Sequence, residues 1–406
     1  MFEQLIKGNN LRASFISTFN EILPLPGSPR LFRYLAVINS EQSNLSSGSG
    51  FSINRNHAKA AAIGESIERY CAKQQLNAKD IYYKKYTEIS EIALNPLMIT
   101  RYTEEQYLNT TLYQDVDFDE PRAWVVAKNL ANNQEILVPF ELIYLSSPPT
   151  NLPLRDIIST GLACGQNLDK AILSGFNECI ERDAFINFWL LGGVRGEIDL
   201  ITLNDAYIEK LIETATNSNL EIRVYDITTD LEIPSILTVV KVKGKEGFYL
   251  GCASGLEFLY TIRKSIEEGL GGFSIYYELI HHYKQPIAKK LDNTSNLDDH
   301  PLYYLAGRND EILSKLLPDS IPKITFENKK LQFIDVIENI NRLGHEIYFS
   351  DITTEDVKRM GVSVVRVVIP TLCFLSINEP LLNCSRLQEK ASILGKKINL
   401  EPHPFP

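Results

Sequence analysis

A twelve-residue pattern of this chain occurs twice, with the same acids at the same spacing. Ala58, Glu65, Ile67, Glu68 and Arg69 are matched by Ala171, Glu178, Ile180, Glu181 and Arg182 at one gap-free offset of 113 positions. Residues three and four apart share a helix face, so Glu65, Glu68 and Arg69 project together, as do Glu178, Glu181 and Arg182. Met once, such a face is usually solvated and its ion pairs contribute little. Here the face is duplicated, and small or apolar residues flank both copies: Ala60 to Ile63, Ile67 and Cys71 around the first, and Ile172, Leu173, Phe176, Ile180 and Ala184 around the second. Helices so flanked are expected to be largely buried, and buried carboxylates must be paired or bound to a cation. Two facing sets of acids with flanking arginines suit Mg²⁺ and a polyphosphate.

The elements that must position these helices follow from the surrounding sequence. A Gly/Ser stretch over 46–52 reads as a turn ahead of the first helix, and 159–165 reads as the matching loop ahead of the second. Leu31 to Ile38 reads as a strand after the proline-rich loop 23–29. A further echo relates Glu221 to Asp226 with Glu346 to Asp351, each followed by Ile-Thr-Thr, at an offset of 125 positions. Each copy predicts a helix (Asp205 to Thr216; Leu331 to Leu343, stopped by Gly344), a strand ending in the Asp, a loop, and a β-branched strand (Ser235 to Val242; Val362 to Ile369). Two βαβ-like halves are expected from this, with Asp226 and Asp351 as loop caps. A third charged helix, after the strand Phe248 to Cys252, carries Arg263, Glu267 and Glu268, and the polar stretch 285–330 reads as an exposed connection. The expectation is an α/β fold of mixed sheets and helices with two pseudo-repeated halves, in one domain over 46–406 preceded by an amino-terminal segment over 1–45.

Composition narrows the chemistry. The 406 residues are 44% hydrophobic and 23% charged, which describes an ordinary globular chain. A net charge of −10, without a basic run longer than two lysines, argues against nucleic-acid and anionic-membrane partners. The six cysteines are scattered, without C-x-x-C pairs, and so predict buried thiols rather than a zinc site or a disulfide framework. Neither a signal sequence nor a membrane-length apolar run is apparent, and a cytoplasmic protein is expected. The phosphate-cradling G-x-x-x-x-G-K-[ST] pattern is absent.

Taken in order, Gly48, Gly50, Glu65, Glu68, Arg69 and Tyr70, then Gly161, Ala163, Gly165, Glu178, Glu181, Arg182 and Asp183, then Arg263 and Glu267, then Arg366 and Pro370, resemble the YcaO family over residues 40 to 406. The ending Pro402-His403-Pro404-Phe405-Pro406 is similar to the P-x-P-x-P terminus of its azoline-forming branch, the D component of thiazole/oxazole-modified peptide synthetases. The resemblance implies an ATP-dependent cyclodehydratase: a Cys, Ser or Thr side chain of a ribosomally made precursor peptide attacks the preceding amide, the amide oxygen is phosphorylated, and loss of phosphate leaves a thiazoline or oxazoline, as in bacteriocin biosynthesis. It further implies that Glu65, Glu68, Glu178 and Glu181 hold Mg²⁺. Arg69, Arg182, Arg263 and Glu267 would line the nucleotide site, and Pro402, Pro404 and Pro406 would shape the reacting centre. The first glycine-rich loop has no lysine, and Ser52 is the substitute expected there; Ser174 stands in the second copy where the first has Ala61. An E1-like partner that binds the precursor's leader is expected, with room for an FMN dehydrogenase in the same complex and for a homodimer. The alternatives within this reading are a thioamide- or amidine-forming enzyme and a non-catalytic ATP-binding scaffold.

Overall fold

The computed structural model describes residues 15–39, 45–74, 80–291, 296–318, 320–325 and 330–405. Pro406 falls outside them. Among the described residues, three sheets carry the fold. The first joins β1 (Ile16–Glu21), β2 (Phe32–Ile38) and β3 (Ser46–Ser52) in antiparallel order. The second runs β11 (Tyr249–Ser254), β10 (Ser235–Val242), β9 (Leu220–Asp226), β8 (Gly196–Ile198) and β12 (Lys323–Ile324). The third runs β4 (Tyr82–Lys84), β5 (Arg122–Asn129), β13 (Tyr348–Asp351), β14 (Ser363–Val368) and β7 (Leu162–Gly165), with β6 (Glu135–Pro139) also on β5.

The first signature helix, α1 (Arg55–Ala72), is capped by Asn54 and lies on β3. The Gly/Ser stretch expected to be a turn is this strand. Its glycines are there because the helix backbone lies directly on them: a Cβ on Gly50 would sit 2.1 Å from the carbonyl oxygen of Ala58. The second signature helix, α2 (Leu168–Leu191), follows β7 in the same manner, and a Cβ on Gly165 would sit 2.4 Å from the nitrogen of Ala171. The loop expected before it is therefore partly strand. The strands of the 1–45 segment are continuous in one sheet with β3.

The downstream echo is a corrected expectation. Helix α3 (Ala206–Asn217) precedes β9, and β9 pairs antiparallel with β10; β13 pairs antiparallel with β14. These are hairpins in two different sheets, not βαβ units, because the eight residues between β9 and β10 are too few for a crossover. Asp226 and Asp351 do cap the loops, accepting from the backbone N–H groups of Thr228 (2.8 Å) and Thr353 (3.0 Å).

A third strand–helix unit accompanies the two signature copies. Strand β11 leads into α4 (Phe258–His281), which lies on it and also reaches β3. The polar stretch 285–330 is exposed only in part: helix α5 (Asp299–Leu305) buries His300, Leu302 and Tyr304. The remaining long helices are α6 (Phe333–Arg342) and α7 (Ser385–Leu394). Among the described residues no helix is long and apolar enough to cross a membrane.

Candidate nucleotide and metal site

The three strand–helix units form a ring, and the second acid of each helix is the link. Glu68 of α1 accepts the Cys164 N–H on β7 at 2.7 Å, reaching the strand of the next unit. Glu181 of α2 sits where its charge acts on Cys252 of β11 and on Lys264 and Glu268 of α4. Glu267 of α4 returns to the first unit, accepting from Ser52 Oγ at 2.6 Å and the Ile53 N–H at 3.1 Å. The sequence contains a trace of this third member: Ser66-Ile67-Glu68 recurs as Ser265-Ile266-Glu267, a short identity that the longer duplicated motif overshadows.

The first acid of each signature copy stays within its own unit. Glu65 accepts the Ser49 N–H on β3 and a bond from Arg69 Nη2, both at 2.6 Å. Glu178 accepts the Gly161 N–H at 3.1 Å and lies 3.5 Å from Arg182 Nη2. On the third helix Lys264 stands at this position and pairs with Glu268 at 3.3 Å, so the ring has two acidic walls and one mixed one. Burial raises the Glu178 carboxyl, and it pushes Glu68 and Glu181 up to about 8. Glu181 keeps 18% of its side chain exposed, so these groups lie in a recess open to solvent rather than in the core.

Arg182 is the guanidinium of the recess. It is 3.9 Å from Glu181 through Nε, and its Nε and Nη1 are buried without a hydrogen-bond acceptor. Phe405 covers it, with the guanidinium carbon 4.2 Å from the ring centroid. Arg263 is engaged elsewhere, holding Asp205 through Nε at 3.1 Å; that pairing keeps the Asp205 carboxyl below its usual range. Tyr207, which composition and motif gave no reason to single out, joins Ser52 and Glu267 through its hydroxyl. Ser174 is exposed on α2, one turn before Glu178, as Ala61 is on α1. Pro402 is half-buried and Pro404 buried, the latter next in sequence to Phe405.

His403, between the two described prolines of the ending, is buried between His300 and Phe185, and burial holds it well below its ordinary value. The six cysteines are free thiols, five of them buried.

The residues fit a magnesium nucleotide. Two carboxyls hold their protons near neutrality because burial strips them of solvent, and one guanidinium has donors to spare; a divalent cation and phosphate oxygens answer both demands. Among the described residues no three His, Cys, Asp or Glu side chains are gathered into a ready-made cage. Mg²⁺ held with a nucleotide uses one or two carboxylates, phosphate oxygens and water, and does not need such a cage.

A mixed α/β fold with a non-P-loop recess of acids and arginines defines a class of nucleotide-dependent proteins. The chain belongs to the YcaO family: the family model described as YcaO cyclodehydratase, ATP- and Mg²⁺-binding, matches residues 49–373. An uncharacterized protein of Methanothermobacter thermautotrophicus is 26% identical over 202 residues, 49% of each chain. Among solved structures, a heterocyclase in complex with substrate and cofactor superposes with a TM-score of 0.77 at 23% identity, covering 96% of this chain and 55% of that one. The E. coli microcin synthetase McbBCD complex superposes at 0.62 and 17% identity, covering 90% of both chains. At these identities the structures establish the fold. The chain spans about half the length of the first of these relatives and of the heterocyclase.

Proposed function

We propose that this chain is the ATP-using component of a peptide cyclodehydratase, converting Cys, Ser or Thr residues of a ribosomally made precursor into thiazolines or oxazolines. The observation that carries the reading is that Glu178 lies within charge range of both Glu68 and Glu181, with the unpartnered donors of Arg182 beside Glu178 and Glu181, in a chain of an ATP- and Mg²⁺-binding family. Glu65, Glu68, Glu178 and Glu181 would hold Mg²⁺. Ser52, Arg69, Ser174, Arg182, Arg263 and Glu267 would line the nucleotide, Arg263 through its grip on Asp205 at the start of α3 and Glu267 by fixing Ser52. With Mg²⁺ screening its charge, ATP supplies the phosphoryl group that turns the amide oxygen of the substrate into a leaving group. The chain's own contribution is positional: Arg182 offers Nε and Nη1 to phosphate oxygens, its orientation fixed by Glu178, Glu181 and the Phe405 ring. Pro402, Pro404 and Pro406 would shape the reacting centre, since a fixed φ lowers the entropy of an ordered tail.

The setting follows from the same reading: a cytoplasmic enzyme with reduced thiols, supplied with its precursor by an E1-like leader-binding partner. An FMN dehydrogenase would follow where azoles are the product. The microcin synthetase, a multi-protein complex by its name, supports the expectation of partners.

The test incubates the protein with ATP, Mg²⁺, a candidate precursor and the leader-binding partner, and records peptide mass. Loss of one water per modified residue is expected, and exchange of oxygen for sulfur would overturn the reading in favour of thioamide formation. Glu181→Gln is expected to abolish ATP turnover, and normal hydrolysis by that variant would remove the metal assignment.

A further inference from the structure

The chain from 399 to 405 lies outside every sheet, yet three buried side chains donate in turn to three consecutive carbonyls of it. Trp189 Nε1–H reaches Glu401 O at 2.7 Å, the Tyr304 hydroxyl reaches Pro402 O at 2.6 Å, and His300 Nδ1–H reaches His403 O at 2.7 Å. The carbonyl acceptor fixes the His300 tautomer with its proton on Nδ1. His300 and Tyr304 stand four apart on α5, so one short helix grips two successive peptide units. Prolines at 402 and 404 have no N–H, which leaves carbonyls as the main handles by which this segment can be held. Beyond the three grips, His403 Nε2 accepts the Ser376 N–H at 3.3 Å, and Phe405 packs on Phe185 with centroids 4.7 Å apart while covering Arg182.

We infer that His300 and Tyr304, with Trp189, are positioning residues that set the register of the carboxyl-terminal segment and thereby seat Phe405 on Arg182 beside the acid recess. Each carbonyl gripped limits sliding of the segment by one residue, and such a slip would take Phe405 off the guanidinium. The functional half of this inference rests on the cyclodehydratase reading; the structural half does not.

The experiment uses the full chain and the variants Tyr304→Phe, His300→Ala and His300→Asn, the last keeping a donor near the place of Nδ1–H. Hydrogen exchange of the 399–405 amides is expected to speed up by about tenfold or more in Tyr304→Phe/His300→Ala, and to return most of the way in Tyr304→Phe/His300→Asn. With precursor and partner present, kcat for peptide dehydration should fall by about tenfold in the double Phe/Ala variant while KM for ATP changes by less than about twofold, the signature of misplacement rather than lost binding. Unchanged exchange in the double variant would overturn the inference, as would equal losses in kcat and ATP affinity that Asn does not rescue. If the wild-type protein dehydrates no precursor, the cyclodehydratase reading fails, and the exchange data alone decide whether the grip exists.

Discussion

Glu68 and Glu181 lie in the same chemical predicament from two different helices. Each is an acid with an ordinary value of 4.5 pushed up to about 8 by burial, so near pH 7 the ligand-free protein carries most of both protons. The folded state then binds more protons than the unfolded one between about 4.5 and about 8, and ligand-free stability should fall as pH rises through that window. Binding of Mg²⁺ and a nucleotide should expel those protons, about two per site at pH 7. Calorimetry in buffers of different ionisation enthalpy reads that number, and zero net release would mean these carboxyls do not meet the metal. Glu68→Gln keeps an acceptor for the Cys164 N–H but cannot ionise, so it should melt no lower than the parent at pH 8 while losing Mg²⁺·nucleotide affinity by about tenfold or more. The four acids and Arg182 were legible because type and spacing alone define a helix face. Lys264 and Tyr207 were not, because nothing local marks a lysine or tyrosine whose significance lies in which distant carboxylate it meets.

At the scale of elements, helix periodicity carried well and glycine-rich sequence did not. The residues of β3 are poor strand formers, and as an isolated segment they read as a turn. The strand exists because α1 needs a surface without side chains beneath it, a requirement imposed from outside the segment. Gly50→Ala should therefore be costly, about 2 kcal/mol or more from overpacking against helix backbone, and should lower the melting temperature without any change in charge. A variant as stable as the parent would show that α1 can lift from β3. The antiparallel pairing of β9 with β10 was hidden for a different reason: strand, loop and strand look alike in sequence whether the second strand returns beside the first or crosses over. Loop length distinguishes the two, and it is read reliably only once both strand ends are known. Helix α5 was missed because it is only seven residues long and follows a polar run, although its Leu302 and Tyr304 pack into the apolar core while His300 and Tyr304 also hold the carboxyl-terminal segment.

At the scale of the molecule, the tail's burial ties acid stability to two imidazoles. His300 and His403 are both held below the ordinary 6.5 by burial, so below that pH the unfolded chain binds protons that the folded one refuses. Their stabilising contribution is present above about 6.5 and is lost as pH falls through their lowered values. Facing His300 are Asp299 and Asp156, and facing His403 is Arg182, none of which removes the desolvation cost. His300→Asn should accordingly flatten the acid limb of a melting-temperature profile, and an unaltered limb would place the acid sensitivity elsewhere. The ring of strand–helix units has a last consequence, for the order in which this protein comes into being. The bond from Ser52 to Glu267 spans 215 residues and joins the third unit back to the first. Contacts so distant in sequence form late, since closing the intervening loop costs entropy that only the completed neighbours repay. A chain emerging from the ribosome can build the β3–α1 unit early, yet it encloses the recess only after α4 has been synthesised and docked. Binding competence is thus a property of the nearly finished molecule, and no early folding intermediate should compete for nucleotide.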